Sequence, residues 1–172
     1  MSNSLTGMLL VATPALKDPN FRRTILFVAA HSGEQGALAY ILNRPCDSAM
    51  DLPGPQGPLS VPLFQGGPVQ PGIVTLASLQ WRSPSGVCAF HTFEEDSVTK
   101  EWVDGLRAFL GYAGWSPGQL EHELSQNAWL VIQPSRELVS RDIGQTAWMD
   151  IMRKAGPVMR LLAAAPDDPS LN

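Results

Sequence analysis

Cysteine, histidine and charged residues are scarce in this chain of 172 residues, and each shortage narrows what the protein can be. Only Cys46 and Cys88 occur, in different segments and without CxxC spacing, so we expect reduced thiols and neither a disulfide nor a zinc site. Charged residues make up 16% of the chain and hydrophobic residues 44%. This composition is typical of a folded globular protein, and the lack of a long apolar run predicts no membrane span.

Positive charge is also limited. The formal net charge is −4, from 12 Lys and Arg against 16 Asp and Glu. A broad electropositive face, as in non-specific nucleic-acid binders, is therefore not expected. Nine of the 12 cations are arginine, however, and arginine can recognise an anion locally through its planar fork of donors. Direct nucleic-acid binding stays open as a hypothesis, without support from the charge.

The length predicts one domain with a single core, which we place at residues 1–165. The polar residues 166–172 are expected to form a loose tail. No basic region precedes the first apolar stretch at 9–12, so a signal peptide is not indicated and a cytoplasmic location is the expectation.

Hydrophobic patterning predicts strands in the first half of the chain and helices in the second. The predicted strands cover residues 5–11, 25–30, 37–42, 73–79, 87–93 and 128–132. Residues 25–30 and 37–42 are expected to pair as a hairpin, because the segment between them contains two glycines. Between 45 and 62 lie five prolines and two glycines, which predict a long loop within the domain.

Three helices are predicted. Apolar residues recur at helical spacing after residue 97, and the pattern continues to residue 110. A capping box opens the second helix, where the Ser116 hydroxyl caps, Pro117 takes the first helical position and Gln119 reaches back. The third helix runs near 145–155 and stops at the following Gly-Pro pair; residues 158–165 could extend helically. The segment 111–124 is thus interpreted as a structural device, in which Gly111 and Gly114 permit a sharp turn.

The candidates for catalysis are few, because only His31, His91 and His122 could act as a base. No GxSxG elbow accompanies them. His122 begins a near match to the HExxH zinc motif, but Gln126 replaces the second imidazole, so a surface histidine is the simpler reading. His91 is interpreted as a cross-strand pairing residue. We therefore predict no catalytic residue, no metal and no cofactor.

The sequence offers better candidates for a binding surface than for catalysis. The glycine pair Gly66-Gly67 could form an anion-attracting nest, although a plain tight turn is the alternative. Asn43 and Arg44 follow a predicted strand and present an amide and a planar fork of donors. His31 ends a strand beside a glycine turn, where it could bind a ligand or donate to a turn carbonyl. The predicted binding surface comprises Arg23, His31, Asn43, Arg44, Gly66, Gly67 and Pro68. As the alternative, Arg44 or Arg23 pairs with a nearby aspartate and closes a loop.

A set of motifs distributed along the chain resembles the YqgE/AlgH family, also known as UPF0301 or DUF179. The matching residues are Gly7 to Pro14, Asp18-Pro19, Phe21, Arg23, His31, Gly36, Asn43-Arg44-Pro45, Gly66 to Val69, the run from Gly111 to Leu124, Trp129, Trp148 and the 170–172 ending. The resemblance implies an α+β domain in which a bent, barrel-like, mostly antiparallel sheet is flanked by helices. Where family members often have Leu-His, this sequence reads Leu76-Ala77-Ser78, so a role for that imidazole does not carry over.

The function that follows from these observations is regulatory. Members of this group of uncharacterised bacterial proteins are described as transcriptional regulators, because one branch is linked to control of alginate production. We therefore predict a non-enzymatic cytoplasmic regulatory or interaction protein with a protein partner or regulatory target. The alternative is a small-ligand-binding protein, or an enzyme not yet discovered, with its site near Asn43-Arg44 and Gly66-Gly67-Pro68.

Overall fold

The computed structural model describes residues 3–83, 86–144 and 146–165. They form an α+β domain built on a mixed, mostly antiparallel sheet that is not closed into a barrel. The strands are β1 (Leu9–Ala12), β2 (Ile25–Ser32), β3 (Gly36–Ile41), β4 (Pro45–Gly54), β5 (Gly57–Gln65), β6 (Val69–Arg82), β7 (Val87–Phe93), β8 (Leu106–Trp115) and β9 (Trp129–Ile132). The helices are α1 (Gln119–Ser125), α2 (Arg136–Val139), α3 (Ala147–Lys154) and α4 (Pro157–Ala164), with a 3₁₀ turn at Lys100–Trp102.

Strand β8 is the centre of the sheet, because it pairs with three other strands. The order along the main path is β4-β5-β8-β3-β2-β1-β9, and the β6–β7 hairpin joins β8 as well. The first half of β8 lies parallel to β5, and its last residues, 113–115, pair antiparallel with β3. Strand β6 pairs antiparallel with β8 from residue 106 to residue 112. The positions of β3, β5 and β6 in the sheet therefore all depend on the course of β8.

The chain crosses the backbone of β8 between the end of β5 and the start of β6, and glycines make this crossing possible. A Cβ added at Gly66 would lie 2.4 Å from the Gly111 oxygen, and one added at Gly67 would lie 2.1 Å from the Tyr112 carbonyl carbon. Gly111 has φ +69°, and its own Cβ would meet the Gly67 oxygen at 2.5 Å. At this crossing the two backbones are in direct contact, and a side chain at any of these glycines would force them apart.

The inner strands are buried on both faces, as their alternating contacts show. In β1, Leu9 and Val11 pack on the face covered by α3 and α4, while Leu10 and Ala12 pack on the face covered by α1. A third, smaller core lies between the β4–β5 hairpin and the start of β8. Two buried faces explain why these strands read as continuous apolar runs.

The helix predicted over 97–110 is wrong, because residues 106–115 form β8. The short 3₁₀ turn ends at Trp102, with Val103 as its C-cap, and Gly105 at φ +91° leads directly into β8. From Leu106 onwards alternate side chains enter different cores: Ala108 packs in the smaller core and Phe109 in the core under α3. A strand that is buried on both faces can imitate helical spacing over one short window.

The loop predicted over 45–62 is also wrong, since β4 and β5 form a long hairpin there. Proline is tolerated because β4 is an edge strand, and β5 pairs with β8 only at residues 63–65. Pro53 lies opposite Pro58, and Gly54 lies opposite Gly57 at the tip. The prolines thus occupy positions that need no second set of ladder hydrogen bonds.

Most other elements agree with the sequence-based expectations, with boundaries shifted by a few residues. The β2–β3 hairpin is confirmed, and the third predicted helix is α3, with Trp148 and Met152 buried. The capping box forms in part: Gln119 Oε1 accepts the Ser116 N–H at 3.0 Å, but Gln119 N–H bonds to the Ser116 carbonyl and not to its hydroxyl. Gly111 and Gly114 lie inside β8, not at a turn before the helix. Pattern analysis did not predict α2, and 158–165 is largely α4.

Several expectations fall on residues 84, 85, 145 and 166–172, which lie outside the described part of the chain. These are part of the connection between the predicted strands 73–79 and 87–93, the first residue of the third helix, the loose tail and the 170–172 ending. Within the described ranges no helix has the length and apolarity needed to cross a bilayer.

The crossing of β8 predicts a strong dependence of stability on Gly66. Replacing Gly66 by Ala forces a methyl group against the Gly111 carbonyl, so we expect the free energy of unfolding to fall by roughly 3 kcal/mol. Gly72→Ala is the matched control, because a Cβ there meets nothing within 4 Å and neither glycine has a positive φ. Urea unfolding should show a loss of about 0.5 kcal/mol or less for the control. Equal losses in the two variants would contradict the steric explanation.

Candidate functional site

Asn43 and Arg44, from the predicted binding surface, brace the loop that precedes β2. Asn43 is buried; its Oδ1 accepts the Ile25 N–H at 2.9 Å, and its Nδ2 donates to the Arg23 carbonyl at 2.9 Å. The Arg44 guanidinium donates to three carbonyls of this loop, those of residues 19, 20 and 22, at 2.7 to 3.2 Å. Arg44 therefore closes a loop through carbonyl oxygens, where pairing with a carboxylate was the expected alternative.

Arg23 takes part in the same brace through its backbone and not through its guanidinium. Its φ is +58°, a left-handed conformation, and its carbonyl is the one that Asn43 holds. The guanidinium carbon lies 5.4 Å from the centre of the Trp148 ring, within the range of a cation–π contact. Arg23 thus connects the loop to α3.

The Gly66-Gly67-Pro68 turn is the crossing of β8 described above. The Gly66 N–H donates to the Leu110 carbonyl at 2.8 Å, and the Gly66 carbonyl accepts the Ile41 N–H at 2.9 Å. Gly66 is buried, and its amide is already bonded within the sheet. This geometry differs from a nest, whose amide hydrogens point together towards a ligand.

His31 is buried and has a partner on each ring nitrogen. Nδ1 accepts the Leu5 N–H at 2.9 Å, so Nε2 carries the proton and donates to Glu121 Oε1 at 2.6 Å. The hydrogen bond from His31 lowers the pKa of the Glu121 carboxyl below its ordinary value. His31 therefore ties the N-terminal segment and β2 to α1, and neither an exposed imidazole nor a bond to a turn carbonyl is observed.

The predicted binding residues fall into two groups. Asn43-Arg44 and Gly66 are neighbours, since the Gln65 N–H donates to the Arg44 carbonyl. His31 lies at the other end of β2, six residues from Ile25, which corresponds to about 20 Å of extended strand. The structure does not gather the seven residues around one cleft.

His122 and Glu123 point in different directions on α1. His122 is exposed, whereas the Glu123 carboxylate turns inward near the indoles of Trp115 and Trp129. Burial raises the pKa of Glu123, and the two indoles offset only part of this effect. Glu123 Oε2 and Trp129 Nε1 do not reach hydrogen-bonding geometry. Among the described residues, no three His, Cys, Asp or Glu side chains are placed to hold a metal ion.

A cavity that the sequence did not predict lies beside the β6–β7 hairpin. This aromatic cavity has a volume of about 720 Å³. Its walls come from β3, β4, β6, β7, the segment after β7 and the 3₁₀ turn. The lining residues are Tyr40, Met50, Val74, Thr75, Leu76, His91, Thr92, Phe93, Glu94, Glu95, Ser97, Thr99 and Trp102.

Aromatic rings form the defining surface of the aromatic cavity. The His91 ring stacks on Trp102 with 5.5 Å between centroids and meets Phe93 edge-on at 4.6 Å. The Arg82 guanidinium carbon lies 4.9 Å from the Trp102 ring centre. Burial raises the pKa of the Tyr40 phenol, and the neighbouring Thr75 side chain offsets part of this effect. The cavity therefore combines flat apolar faces with a few polar groups.

The sequence indicates no cavity at these residues. Trp102 lies within the predicted helix over 97–110, and His91 is interpreted as a cross-strand pairing residue, which its position opposite Ser78 confirms. The lining residues range from 40 to 102 along the chain and belong to at least six segments. The only local indication of the aromatic cavity in the sequence is the number of aromatic residues between 90 and 102.

The bond between His31 and Glu121 predicts a pH-dependent contribution to stability. Glu121→Gln should lower the free energy of unfolding at pH 7 by about 1 kcal/mol, less than for a buried charged bond because the carboxylate is 35% exposed. The folded pKa of Glu121 is lowered, so this contribution is present above the unfolded pKa and is lost as pH falls through the folded pKa. Urea unfolding from pH 7 to pH 3 should show the two proteins converging. Glu34→Gln, exposed in the β2–β3 turn, is the control; a difference that stays constant with pH would contradict the assignment.

Known proteins share both the sequence and the architecture of this chain. The AlgH-like family, DUF179, matches residues 9–160. The UPF0301 protein SCO2948 of Streptomyces coelicolor is 39% identical, over 99% of this chain and 96% of that protein. The crystal structure of DIP2367 from Corynebacterium diphtheriae is similar with a TM-score of 0.70 at 23% identity, over 96% of this chain and 94% of that one. The solution structure of AlgH from Pseudomonas aeruginosa has a TM-score of 0.64 at 26% identity, over 96% of both chains. The chain therefore belongs to the AlgH-like family of UPF0301 proteins.

Proposed function

We propose that this protein is a non-enzymatic cytoplasmic regulatory protein that responds to a small molecule bound in the aromatic cavity. The observation that carries the proposal is the cavity itself, with its volume of about 720 Å³ and its stacked rings. Sites for small ligands typically measure about 300–1,000 Å³ and combine apolar walls with a few polar groups. The aromatic cavity has both properties.

The charges that line the aromatic cavity define the class of ligand. Glu94 and Glu95 are exposed at the cavity, and no lining residue is Lys or Arg, although the Arg82 guanidinium lies over the Trp102 ring. An anionic ligand would meet like charge there. The exposed His91 ring and the partly exposed Trp102 ring offer a stacking surface to a flat group. The ligand of this proposal is a planar molecule that is neutral or positively charged.

A regulatory role needs an element that ligand binding can bias, and the segment 99–105 meets this requirement. It carries Trp102 and is held against β6 by side-chain bonds to its carbonyls. The Ser78 hydroxyl donates to the carbonyls of Trp102 and Asp104, at 2.8 and 3.2 Å. The Gln80 amide donates to the carbonyls of Glu101 and Asp104, at 2.7 and 2.6 Å. A ligand that stacks on Trp102 would favour one position of this segment, which a protein partner could then recognise.

The weaker form of the regulatory proposal is direct binding to DNA. The net charge of −4 does not support it, and the proposal given above needs only a protein partner. Titration of labelled duplex DNA at 50 and 200 mM salt distinguishes the two forms. Binding that strengthens at low salt would favour the DNA form, whereas no binding at either salt concentration would leave a protein partner as the target.

Trp102 and Trp81 allow a matched test of ligand binding, because each lines a different cavity. A panel of planar neutral and cationic metabolites should contain compounds that raise the melting temperature of the wild-type protein. Trp102→Leu should weaken their binding about tenfold or more, since stacking on the indole is lost. Trp81→Leu should leave their affinity unchanged. Isothermal titration calorimetry gives both affinities. No binding by any member of the panel, or equal losses in the two variants, would count against the proposal.

A further inference from the structure

We propose that a second cavity, floored by Arg107, is an oxyanion-binding site for the carboxylate or phosphate group of a small metabolite. This cavity lies where the end of β6 and the start of β8 meet the segment 136–142, and its volume is about 390 Å³. We call it the arginine cavity, because Arg107, Arg136 and Arg141 all line it. The inference goes beyond the proposed function, which concerns a different cavity and a ligand of different charge.

Arg107 is fully buried yet only partly satisfied. Its side chain has 0% exposure, and it is the largest fully buried side chain in the described part of the protein. Nε donates to the Gly105 carbonyl at 3.1 Å and Nη2 donates to the Val139 carbonyl at 2.5 Å. Nη1 is buried and has no hydrogen-bond partner. Both N–H groups of Nη1 are therefore without a partner, on a buried cation that lines the cavity.

No described residue forms an ion pair with Arg107, although the nearby Asp142 carboxylate partly offsets the lowering of its pKa. The carboxylates of Glu101, Asp104 and Asp142 line the arginine cavity, but within residues 3–83, 86–144 and 146–165 no ion pair to Arg107 forms. Cys88 lies near enough to interact with Arg107 electrostatically, but burial raises the pKa of its thiol to about 11. Cys88 is thus neutral at pH 7 and supplies no counter-charge.

Burying a cation without an ion-pair partner is energetically unfavourable, so a bound anion would stabilise Arg107. Burial, followed by the charge of Arg141, lowers the pKa of Arg107 to about 10, so the guanidinium is still charged at neutral pH. A buried charge normally requires a partner with both charge and hydrogen-bonding geometry. Carboxylate and phosphate groups provide both, and the guanidinium fork binds them through parallel N–H donors.

The other two arginines lie at the entrance of the site, closer to solvent than Arg107. Arg136 is exposed at the start of α2, and Arg141 is half-buried with Nη1 donating to the Leu106 carbonyl at 3.0 Å. Three arginines and three carboxylates line the arginine cavity, so its formal net charge is zero. Such a balance favours a small anionic group over a polyanion such as nucleic acid.

The first experiment measures the melting temperature of the full chain in sodium phosphate and in sodium succinate, against sodium chloride at equal ionic strength. At about 100 times its dissociation constant, the preferred anion should raise the melting temperature by about 5–10 °C. A rise in phosphate alone identifies a phosphate group as the ligand, and a rise in succinate alone identifies a carboxylate. Identical melting temperatures in all three salts would overturn the proposal.

Matched variants locate the binding. Arg136→Gln should reduce the affinity for the effective anion about tenfold, because an exposed cation at the entrance is lost. Arg160→Gln, which removes an exposed arginine from α4, should leave the affinity unchanged. Equal losses in the two variants would assign the effect to general charge and would overturn the site.

Arg107→Met tests the floor of the cavity directly. The substitution keeps a shorter unbranched side chain in the core and removes the buried charge, so the variant should fold without anion and lose the dependence of its melting temperature on phosphate or succinate. If Arg107→Met does not fold, the comparison of Arg136→Gln with Arg160→Gln still decides the outcome. A folded Arg107→Met protein that keeps the full anion response would place the binding elsewhere and would overturn the assignment.

Discussion

The fold depends on one close contact, in which the backbone at Gly66-Gly67 crosses the backbone of β8 at Gly111. On one side of this crossing β8 pairs with β5 and β3, and on the other side it pairs with β6. A Cβ at any of the three glycines would lie 2.1 to 2.5 Å from backbone atoms, so the two parts of the sheet would have to move apart. The inner core of β1, β2 and β3 and the outer β6–β7 hairpin therefore share one sheet only because glycine occupies these positions.

Both candidate cavities lie beside the β6–β7 hairpin, which pairs with β8 after the crossing. Its two sides are closed by the segment 99–105, which presents Trp102 to the aromatic cavity and Asp104 to the arginine cavity. Ser78 and Gln80 hold that segment through four hydrogen bonds to its carbonyls. The two candidate sites are thus separated by one thin element and differ in charge: Glu94 and Glu95 line the aromatic cavity, whereas three arginines and three carboxylates line the arginine cavity.

The sequence predicted the fold class and most strands, because hydrophobic alternation and glycine turns are local signals. It failed where local signals are ambiguous: Leu106 to Leu110 is buried on both faces and imitates a helix, and the prolines of 45–62 fit an edge hairpin as well as a loop. It also placed the candidate site at Asn43, Arg44 and Gly66, whose polar groups are bonded within the fold. Neither the burial of Arg107 nor the convergence of six segments around Trp102 has a local signature, since both arise from pairing between distant strands.

Family membership and candidate function are therefore carried by different residues. The run from Gly111 to Leu124 contains the crossing glycine, the core residues Trp115 and Leu120, and Glu121, which receives the His31 hydrogen bond. All these residues stabilise the fold. The aromatic and arginine cavities lie outside that run, on the β6–β7 hairpin and the start of β8. A chain can thus keep every motif that identifies the family while the residues that line its cavities determine what it binds, so the ligand has to be sought from the cavities and not from the motifs.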